Sequence, residues 1–314
     1  MCRLPRAVRR QSAYAELLLQ WTFSYAEVLG LDLATIQFLA RAAAGGVSLD
    51  RVLTLGRQWL YVKPDEVQGV LTRSGVATAA QDATRIFEEA GGYCEPLLKH
   101  LGAAQIDSMD VSNYENATIL QDLNRPWPES LREKFSVVID AGTLEHVFNF
   151  PLALKNCLDA VAIGGHFITI TPANNLLGHG FYQFSPELYF RVFTKDNGFS
   201  LETVLVYEQP WSSVWYEVAD PEQVRSRVEL ANSKPTYMIV CARKVAAVEV
   251  FATPPVQSDY QFMYWKQTPG KGTAGEFVTG RPRSWKTHAP AWIGNLYRRL
   301  KPFRLPYFRK KRLT

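Results

Sequence analysis

Small and polar residues follow two apolar runs in the middle of the chain, at residues 137–139 and 166–172. Apolar runs of this length, rich in β-branched residues, are typical of strands that are buried on both faces. In open α/β sheets, ligands bind beyond the carboxyl ends of such strands. We therefore expect a ligand site formed by the residues after these two runs, which are Asp140, Gly142, Thr143 and Asn174.

Two histidines near these strand ends are candidate catalytic residues. An unperturbed imidazole pKa of about 6.5 allows a histidine to accept a proton at neutral pH. His146 lies just past the first run, and His179 lies in the polar, glycine-containing loop 174–185. Either histidine could instead be a hydrogen-bonded structural residue. Nearby, we expect Glu145 to cap the turn by reaching back to the backbone N–H of Gly142.

The loop that contains His179 also supplies the candidate substrate contacts. Loops of this kind on a rigid sheet often carry binding residues. We expect Asn174, Tyr182 and Gln183 to face the substrate, with the alternative that Tyr182 and Gln183 only order the loop.

A strand–helix–strand unit must position these residues. A helix is expected to start at Pro151, because proline is favoured at the first helical position, and Gly164-Gly165 are expected to end it. The two strands should then be parallel, with a right-handed crossover. A second helix is expected at Pro186, capped by Ser185.

Three earlier strands are expected to extend the sheet. The run 51–55 is followed by Gly56, a residue that lets the backbone approach a ligand closely. Residues 103–109 end at Asp110, whose two carboxylate oxygens suit the two hydroxyls of a ribose. Asp107 is the alternative acceptor, and a turn-capping role for the aspartate is also open. The third strand covers residues 117–120.

These segments, in this order, resemble the class I S-adenosylmethionine-dependent methyltransferases. Residues 140–147, an Asp-Ala-Gly-Thr-Leu-Glu-His-Val run, resemble the fourth motif of that family. Residues 164–167 resemble the turn and strand that follow, and residues 184–188 and 198–199 resemble the helix that leads into a hairpin. The resemblance implies an α/β, Rossmann-like, doubly wound sheet of seven mostly parallel strands, with S-adenosyl-L-methionine as cofactor.

The resemblance also implies roles for individual residues. Asp122 would accept a hydrogen bond from the adenine amino group, with the apolar Leu123 beside the ring, and Leu55 and Gly56 would meet the cofactor. Asp110, Asp140, Gly142 and Thr143 complete the expected cofactor contacts. The family usually carries an acidic residue and two or three glycines after the first strand, whereas this chain offers only Gly56. Either the turn acts in a modified form, or the domain is a catalytically inactive binding or scaffold module.

The composition predicts three regions. Residues 1–46 read as an N-terminal helical cap, 47–245 as the Rossmann-like domain, and 246–314 as an irregular basic and aromatic arm. The net charge of +5 belongs to the arm: from Arg281 onward there are eleven Lys and Arg and no acidic residue, which leaves 24 basic against 30 acidic residues before it. We expect the arm to contact an anionic membrane surface or another polyanion, or to be a solvated tail.

A cytoplasmic protein is expected from the remaining features. The four cysteines show neither paired spacing nor a zinc signature, and charged residues interrupt the apolar stretch near the N-terminus. The expected activity is O- or N-methylation of a small-molecule or sugar acceptor. Nucleic acid is not expected as a partner, since the body of the chain is acidic. No metal site is expected, and the missing G-x-G-x-x-G motif disfavours a dinucleotide enzyme.

Overall fold

A nine-stranded mixed sheet organises the protein, which we describe from a computed structural model over residues 30–76, 80–210, 214–260, 302–303 and 307–311. The strands follow the order β3-β2-β1-β4-β5-β8-β6-β7-β9 across the sheet. Their bounds are β1 Arg51–Leu55, β2 Gln105–Asp110, β3 Ile119–Leu120, β4 Phe135–Ala141, β5 Val161–Asn174, β6 Phe199–Glu208, β7 Trp215–Val218, β8 Thr236–Lys244 and β9 Phe308–Lys311.

Helices cover both faces of this sheet. They are α1 Leu33–Ala44, α2 Pro64–Arg73, α3 Ala80–Ala90, α4 Glu95–His100, α5 Phe150–Ala160, α6 Pro186–Val192 and α7 Pro221–Val224. Two hydrophobic cores result, one on each face. Along β1 the side chains alternate between them, as the period of a strand requires: Leu53 and Leu55 enter one core and Val52 the other.

The half of the sheet that contains β1 to β5 is parallel and doubly wound. β1 lies between β2 and β4, with Leu55 opposite both Met109 and Asp140. The chain therefore moves outward from β1 first in one direction and then in the other, which creates a topological switch point at the carboxyl ends of β1 and β4. This arrangement confirms the predicted Rossmann-like α/β class.

One predicted feature of the strand–helix–strand unit is wrong. The helix ends at Ala160 and the chain enters β5 directly at Val161, so Gly164 and Gly165 lie inside a strand rather than in a helix stop. The register of β4 against β5 shifts there, since Phe135 pairs with Val161 whereas Val137 pairs with His166. At Gly165, an added Cβ would lie 2.6 Å from the carbonyl oxygen of Ser136, so this close strand approach requires glycine.

The sheet has more strands than the predicted seven, and its other half is antiparallel. β8 pairs antiparallel with both β5 and β6, and β7 and β9 extend that edge. β9 belongs to the arm that the sequence suggested to be irregular. Its Phe308 is buried, and Phe303 stacks on Tyr216 with ring centroids 3.9 Å apart. These two rings therefore pack against the sheet.

Other predictions concern residues at the margins of the described structure. The segment that begins at Pro221 forms only the single turn α7, ended by Arg225 in the left-handed conformation. Residues 1–29 of the expected N-terminal helical cap, and most of the arm, lie outside the described residues. Contact between the arm and a polyanion stays a prediction. Three basic residues on β9 are exposed and available for such a contact: Arg309, Lys310 and Lys311.

No helix among the described residues has the length and apolar character needed to cross a bilayer. Cys94, Cys157 and Cys241 are buried free thiols.

Candidate functional site

Hydrogen bonds join the carboxyl ends of the first four strands. The backbone N–H of Gly56 donates to the carbonyl of Met109 at 2.7 Å, and the Thr143 hydroxyl donates to the carbonyl of Leu55 at 2.8 Å. The N–H of Gln121 donates to the carbonyl of Asp110, also at 2.8 Å. The strand ends that the sequence associated with a cofactor therefore meet at one edge of the sheet.

The turn after β1 is a left-handed turn at Gly56, whose φ is +70°. A residue with a Cβ is disfavoured in this conformation, so glycine suits it. The carbonyl of Leu55 also accepts a hydrogen bond from the buried Gln58 side chain, and the Thr54 hydroxyl donates to the carbonyl of Gly56. Sequence reasoning missed Gln58, because nothing in the pattern shows that a glutamine after this glycine folds back onto the strand.

Asp110 ends β2 at the same edge, two strands away from Asp140. Its Oδ1 accepts hydrogen bonds from the backbone N–H of Ser112 at 2.8 Å and from the Ser112 hydroxyl at 3.3 Å. Asp107, the alternative ribose acceptor, lies within the strand opposite Leu53 and accepts from the Thr118 hydroxyl. Asp110 is therefore the aspartate at the strand end, and its side chain also stabilises the turn that follows.

Asp122 and Leu123 follow β3. The carboxylate of Asp122 caps a turn, because its Oδ1 accepts from the backbone N–H of Asn124 at 2.8 Å. Hydrogen bonds from Asn124 and the charge of Arg125 lower the pKa of Asp122. Leu123 is buried in the core on the α5 side of the sheet, so only a small part of its side chain can meet a ligand.

Asp140 is fully buried and holds the turn after β4. Its Oδ1 accepts hydrogen bonds from the backbone N–H groups of Thr143 and Leu144, and its Oδ2 accepts from the Thr169 hydroxyl at 2.7 Å. Burial, together with the charge of Glu145, raises the pKa of Asp140 to about 7. Asp140 therefore fixes the backbone of Thr143, and the cofactor contact predicted for Asp140 stays a prediction.

Glu145 does not cap the turn, contrary to the prediction. Asp140 accepts the hydrogen bonds from the backbone N–H groups of this turn instead. Both carboxylate oxygens of Glu145 lack a hydrogen-bond donor among the described residues. Glu145 is fully buried, and its Oε1 lies 3.3 Å from Nε2 of the buried His179. His146 is exposed, and its ring lies 5.1 Å from that of His179. The structure thus brings both candidate catalytic histidines together.

A backbone contact holds the His179 loop against this turn. The N–H groups of Phe181 and Tyr182 donate to the carbonyl of Glu145 at 2.8 and 3.2 Å. Gly180 makes the approach possible, since it has a φ of +76° and an added Cβ would lie 2.8 Å from that carbonyl oxygen. The relative positions of Glu145 and His179 are therefore fixed by main-chain hydrogen bonds.

The three substrate-binding candidates make hydrogen bonds within the protein. The Tyr182 hydroxyl donates to the carbonyl of Phe148 at 2.7 Å, and the side chain of Gln183 accepts from the N–H of Leu176 at 2.8 Å. Asn174 donates to the side chain of Asn232 at 2.8 Å. For Tyr182 and Gln183 this geometry agrees with the alternative, that these side chains order the loop.

A small cavity of about 10 Å³ adjoins His179, at the size limit for one water molecule. Asp32, the N-terminal cap of α1, lies at this cavity and accepts a hydrogen bond from the Tyr207 hydroxyl at 3.0 Å. Tyr237 also lines it, and burial followed by the charge of Glu145 raises the pKa of Tyr237 to about 12. The sequence did not single out Asp32 or Tyr237, which reach the site from a distant helix cap and from β8.

Comparisons with known proteins find similarity among solved structures. No family model matches the sequence, and no curated protein matches it. Solved structures that resemble it include an S-adenosylmethionine-dependent methyltransferase of Mesorhizobium loti, with 14% identity over 68% of this chain and 98% of that chain and a TM-score of 0.37.

Two further structures with a TM-score of 0.37 contain bound S-adenosylhomocysteine. One is the N-methyltransferase NodS of Bradyrhizobium japonicum, with 12% identity over 68% of this chain and 87% of that chain. The other is the 1,6-didemethyltoxoflavin-N1-methyltransferase of Burkholderia thailandensis, with 8% identity over 78% of this chain and 93% of that chain. Similarity at this level carries no argument about activity, so function must be argued from the residues of the chain.

Proposed function

We propose that the protein transfers a methyl group from S-adenosyl-L-methionine to an oxygen or nitrogen of a small-molecule or sugar acceptor. One observation carries this proposal: the ends of β1, β2, β3 and β4 meet at the switch point of a doubly wound sheet, with Gly56 and Asp110 at adjacent strand ends. In such sheets the crevice at the switch point is where nucleotide ligands bind.

The residues at the switch point fit a nucleoside. Asp110 is half-buried at the end of β2, where its carboxylate can accept hydrogen bonds from the ribose hydroxyls. Gly56 has no side chain of its own, and the side chains of Gln58 and Thr143 lie 3.4 and 3.5 Å from the place its Cβ would occupy. Thr143 and Gly142 belong to the facing turn after β4. Asp122 and Leu123 would hold the adenine from the end of β3. The hydroxyl of Thr143 donates to the carbonyl of Leu55, which keeps Thr143 next to the turn after β1 and therefore among the proposed cofactor contacts.

The cofactor supplies an activated methyl group on a sulfonium, so the protein mainly has to position the acceptor. His179 and Gly142 line one small cavity, and His179 forms a cluster with His146 and Glu145. We assign this cluster to the acceptor side, where an acceptor hydroxyl or ammonium must lose its proton. Oε1 of the buried Glu145 lies 3.3 Å from Nε2 of His179, so a negative charge adjoins this ring.

The surface next to the cluster fits a small acceptor with an apolar face. Phe148 and Phe181 are exposed and pack edge to face, with ring centroids 5.9 Å apart, and Leu177 is also exposed. Phe148 follows His146 by two residues and Phe181 follows His179 by two. An aromatic ring or the C–H face of a sugar could stack on these rings.

A binding or scaffold module is the second candidate, and one observation favours it. The polar groups of the turn after β1 already bond within the protein: the carbonyl of Leu55 accepts from Gln58 and Thr143, and the N–H of Gly56 donates to Met109. These bonds hold the turn in shape without a ligand, so the turn is compatible with a module that binds no methyl donor.

Calorimetric titration of the full chain with S-adenosylhomocysteine distinguishes the two. A methyltransferase is expected to bind one equivalent with a Kd in the micromolar range, about −8 kcal/mol. Affinity no better than millimolar, from protein whose circular dichroism shows an intact fold, would instead support the module.

A further inference from the structure

The cluster of Glu145, His146 and His179 has the composition of a transition-metal site. One carboxylate oxygen and one ring nitrogen from each histidine lie within 4.8 Å of one another. We propose that this cluster binds a divalent transition metal, for which Zn²⁺ is the natural probe.

The state of the Glu145 carboxylate is the main reason for this proposal. Its side chain is fully buried, and neither oxygen accepts a hydrogen bond from the described residues. Buried carboxylates are normally paired with a cation, hydrogen-bonded or bound to a metal. No Lys or Arg in the described part of the chain lies within ion-pair distance of Glu145 or of the buried Asp140. His179 is the one partner, at 3.3 Å.

The distances suit a metal with little rearrangement. Zn²⁺ bonds of 2.0–2.1 Å in a tetrahedral site place the ligand atoms roughly 3.4 Å apart. Oε1 of Glu145 and Nε2 of His179 already have that separation, at 3.3 Å. His146 is exposed and can rotate its ring toward the pair, which closes the remaining distance.

The main chain holds the ligands in place before a metal arrives. Glu145 and His179 lie on different segments, and the hydrogen bonds from Phe181 and Tyr182 to the carbonyl of Glu145 fix one against the other. Gly180 allows this contact because it has no side chain. The chain therefore does not have to order a loop in order to form the site, which favours affinity.

The ligand types indicate which metals fit. Two imidazole nitrogens with one carboxylate oxygen suit Zn²⁺, Fe²⁺ or Co²⁺, whereas Mg²⁺ and Ca²⁺ prefer sites made of oxygen only. Three protein ligands also leave a coordination position open, as in catalytic zinc sites. The next step rests on the proposed methyl transfer. An oxygen of the acceptor would occupy the open position, and the metal would make the acceptor hydroxyl more acidic.

Metal binding can be measured on the full chain after chelator treatment and dialysis. Titration with Co²⁺, followed by visible absorption, is expected to saturate at one equivalent, and Zn²⁺ should displace the Co²⁺. Millimolar Mg²⁺ should leave the spectrum unchanged. A wild-type protein that gives no saturable Co²⁺ spectrum, and no saturable heat with Zn²⁺, would overturn the proposal and identify Glu145 and His179 as a buried ion pair.

Single substitutions then test the three ligands. E145Q and H179Q are expected to weaken Zn²⁺ binding roughly 100-fold, and H146Q roughly tenfold or more, since even residues that only support metal ligands contribute 10- to 100-fold. H100Q is the matched control, because His100 ends α4 outside the cluster, and it should bind like wild type. Wild-type affinity in all three ligand variants would refute the assignment. If E145Q or H179Q does not fold, the exposed His146 still decides the outcome.

Failure of the metal site and failure of the proposed function can be told apart. S-adenosylhomocysteine binding is measured on the same protein in the presence of chelator, and Co²⁺ binding without any cofactor. Loss of metal binding with intact cofactor binding refutes this inference alone. The reverse result refutes methyl transfer and leaves the metal site standing.

Discussion

The turns after β1 and β4 differ in how completely their polar groups are satisfied. After β1, the carbonyl of Leu55 accepts two hydrogen bonds, from Gln58 and Thr143, and the N–H and carbonyl of Gly56 are both bonded. After β4, Asp140 accepts three hydrogen bonds, yet the equally buried Glu145 accepts none.

This difference separates a structural turn from a reactive one. Buried polar groups are normally paired, and an unpaired group costs about 1–3 kcal/mol or more when it is charged. Glu145 has only His179 near it and no hydrogen-bond donor, an unfavourable state that a bound metal or a proton would relieve. The turn after β1 carries no such cost, because its polar groups are bonded within the protein.

The largest expected effect comes from separating the His179 loop from the turn after β4. G180V places a β-branched side chain at a left-handed φ, against the carbonyl of Glu145. We expect the free energy of unfolding to fall by about 2–4 kcal/mol, measured by urea denaturation. G178A is the control, because an added Cβ there has open space. Equal stability of the two variants would show that the loop does not dock as described.

An intermediate effect is expected from pH. Since the pKa of Asp140 is raised to about 7 in the folded protein, folding favours its protonated form. That contribution is complete below the unfolded pKa near 4 and is lost as the pH rises through 7. Stability should therefore fall across this range by an amount on the order of a few kcal/mol.

D140N should reduce that pH dependence, because the amide keeps an oxygen for the N–H groups of Thr143 and Leu144. Denaturation at a series of pH values, with chelator present, gives the comparison. An unchanged pH slope in the variant would contradict the assignment of this dependence to Asp140.

A smaller effect is expected in the turn after β1. Q58A removes one of the two hydrogen bonds to the carbonyl of Leu55, which should cost about 1 kcal/mol. T143V removes the other. Because the two donors share one acceptor, the double variant should cost more than the sum of the single ones. A double-mutant cycle by urea denaturation measures this, and simple additivity would count against a shared acceptor.

The strands of the parallel half could be predicted from local sequence. The run 51–55 coincides with β1. β2 ends at Asp110, as predicted, so Asp107 lies within the strand and not at its end. Both follow from apolar patterning, which reports burial directly. Gly164 and Gly165 were predicted to end a helix but lie in β5, where its pairing with β4 changes register. Glycine is common in both situations, and which of the two applies depends on the neighbouring strand.

Contacts between distant segments could not be predicted. Asp140 and Glu145 are both acidic residues near one turn, and which of them caps it depends on burial that the sequence does not show. His146 and His179 were both named as candidates, but their proximity depends on the docking of the loop through Gly180. β9 pairs with β7, which lies some ninety residues earlier in the chain, so local patterning gave no sign of it.

The most direct test of a methyl-donor site at the strand ends compares two aspartates on the same strand. Calorimetric titration with S-adenosylhomocysteine should show D110N weakened roughly 10- to 100-fold relative to wild type, because a charged acceptor of the ribose hydroxyls contributes about 1.5–3 kcal/mol. D107N should bind like wild type, since Asp107 lies within β2 and bonds to Thr118. Equal affinities for the two variants, or a stronger loss in D107N, would contradict a nucleoside site at the switch point.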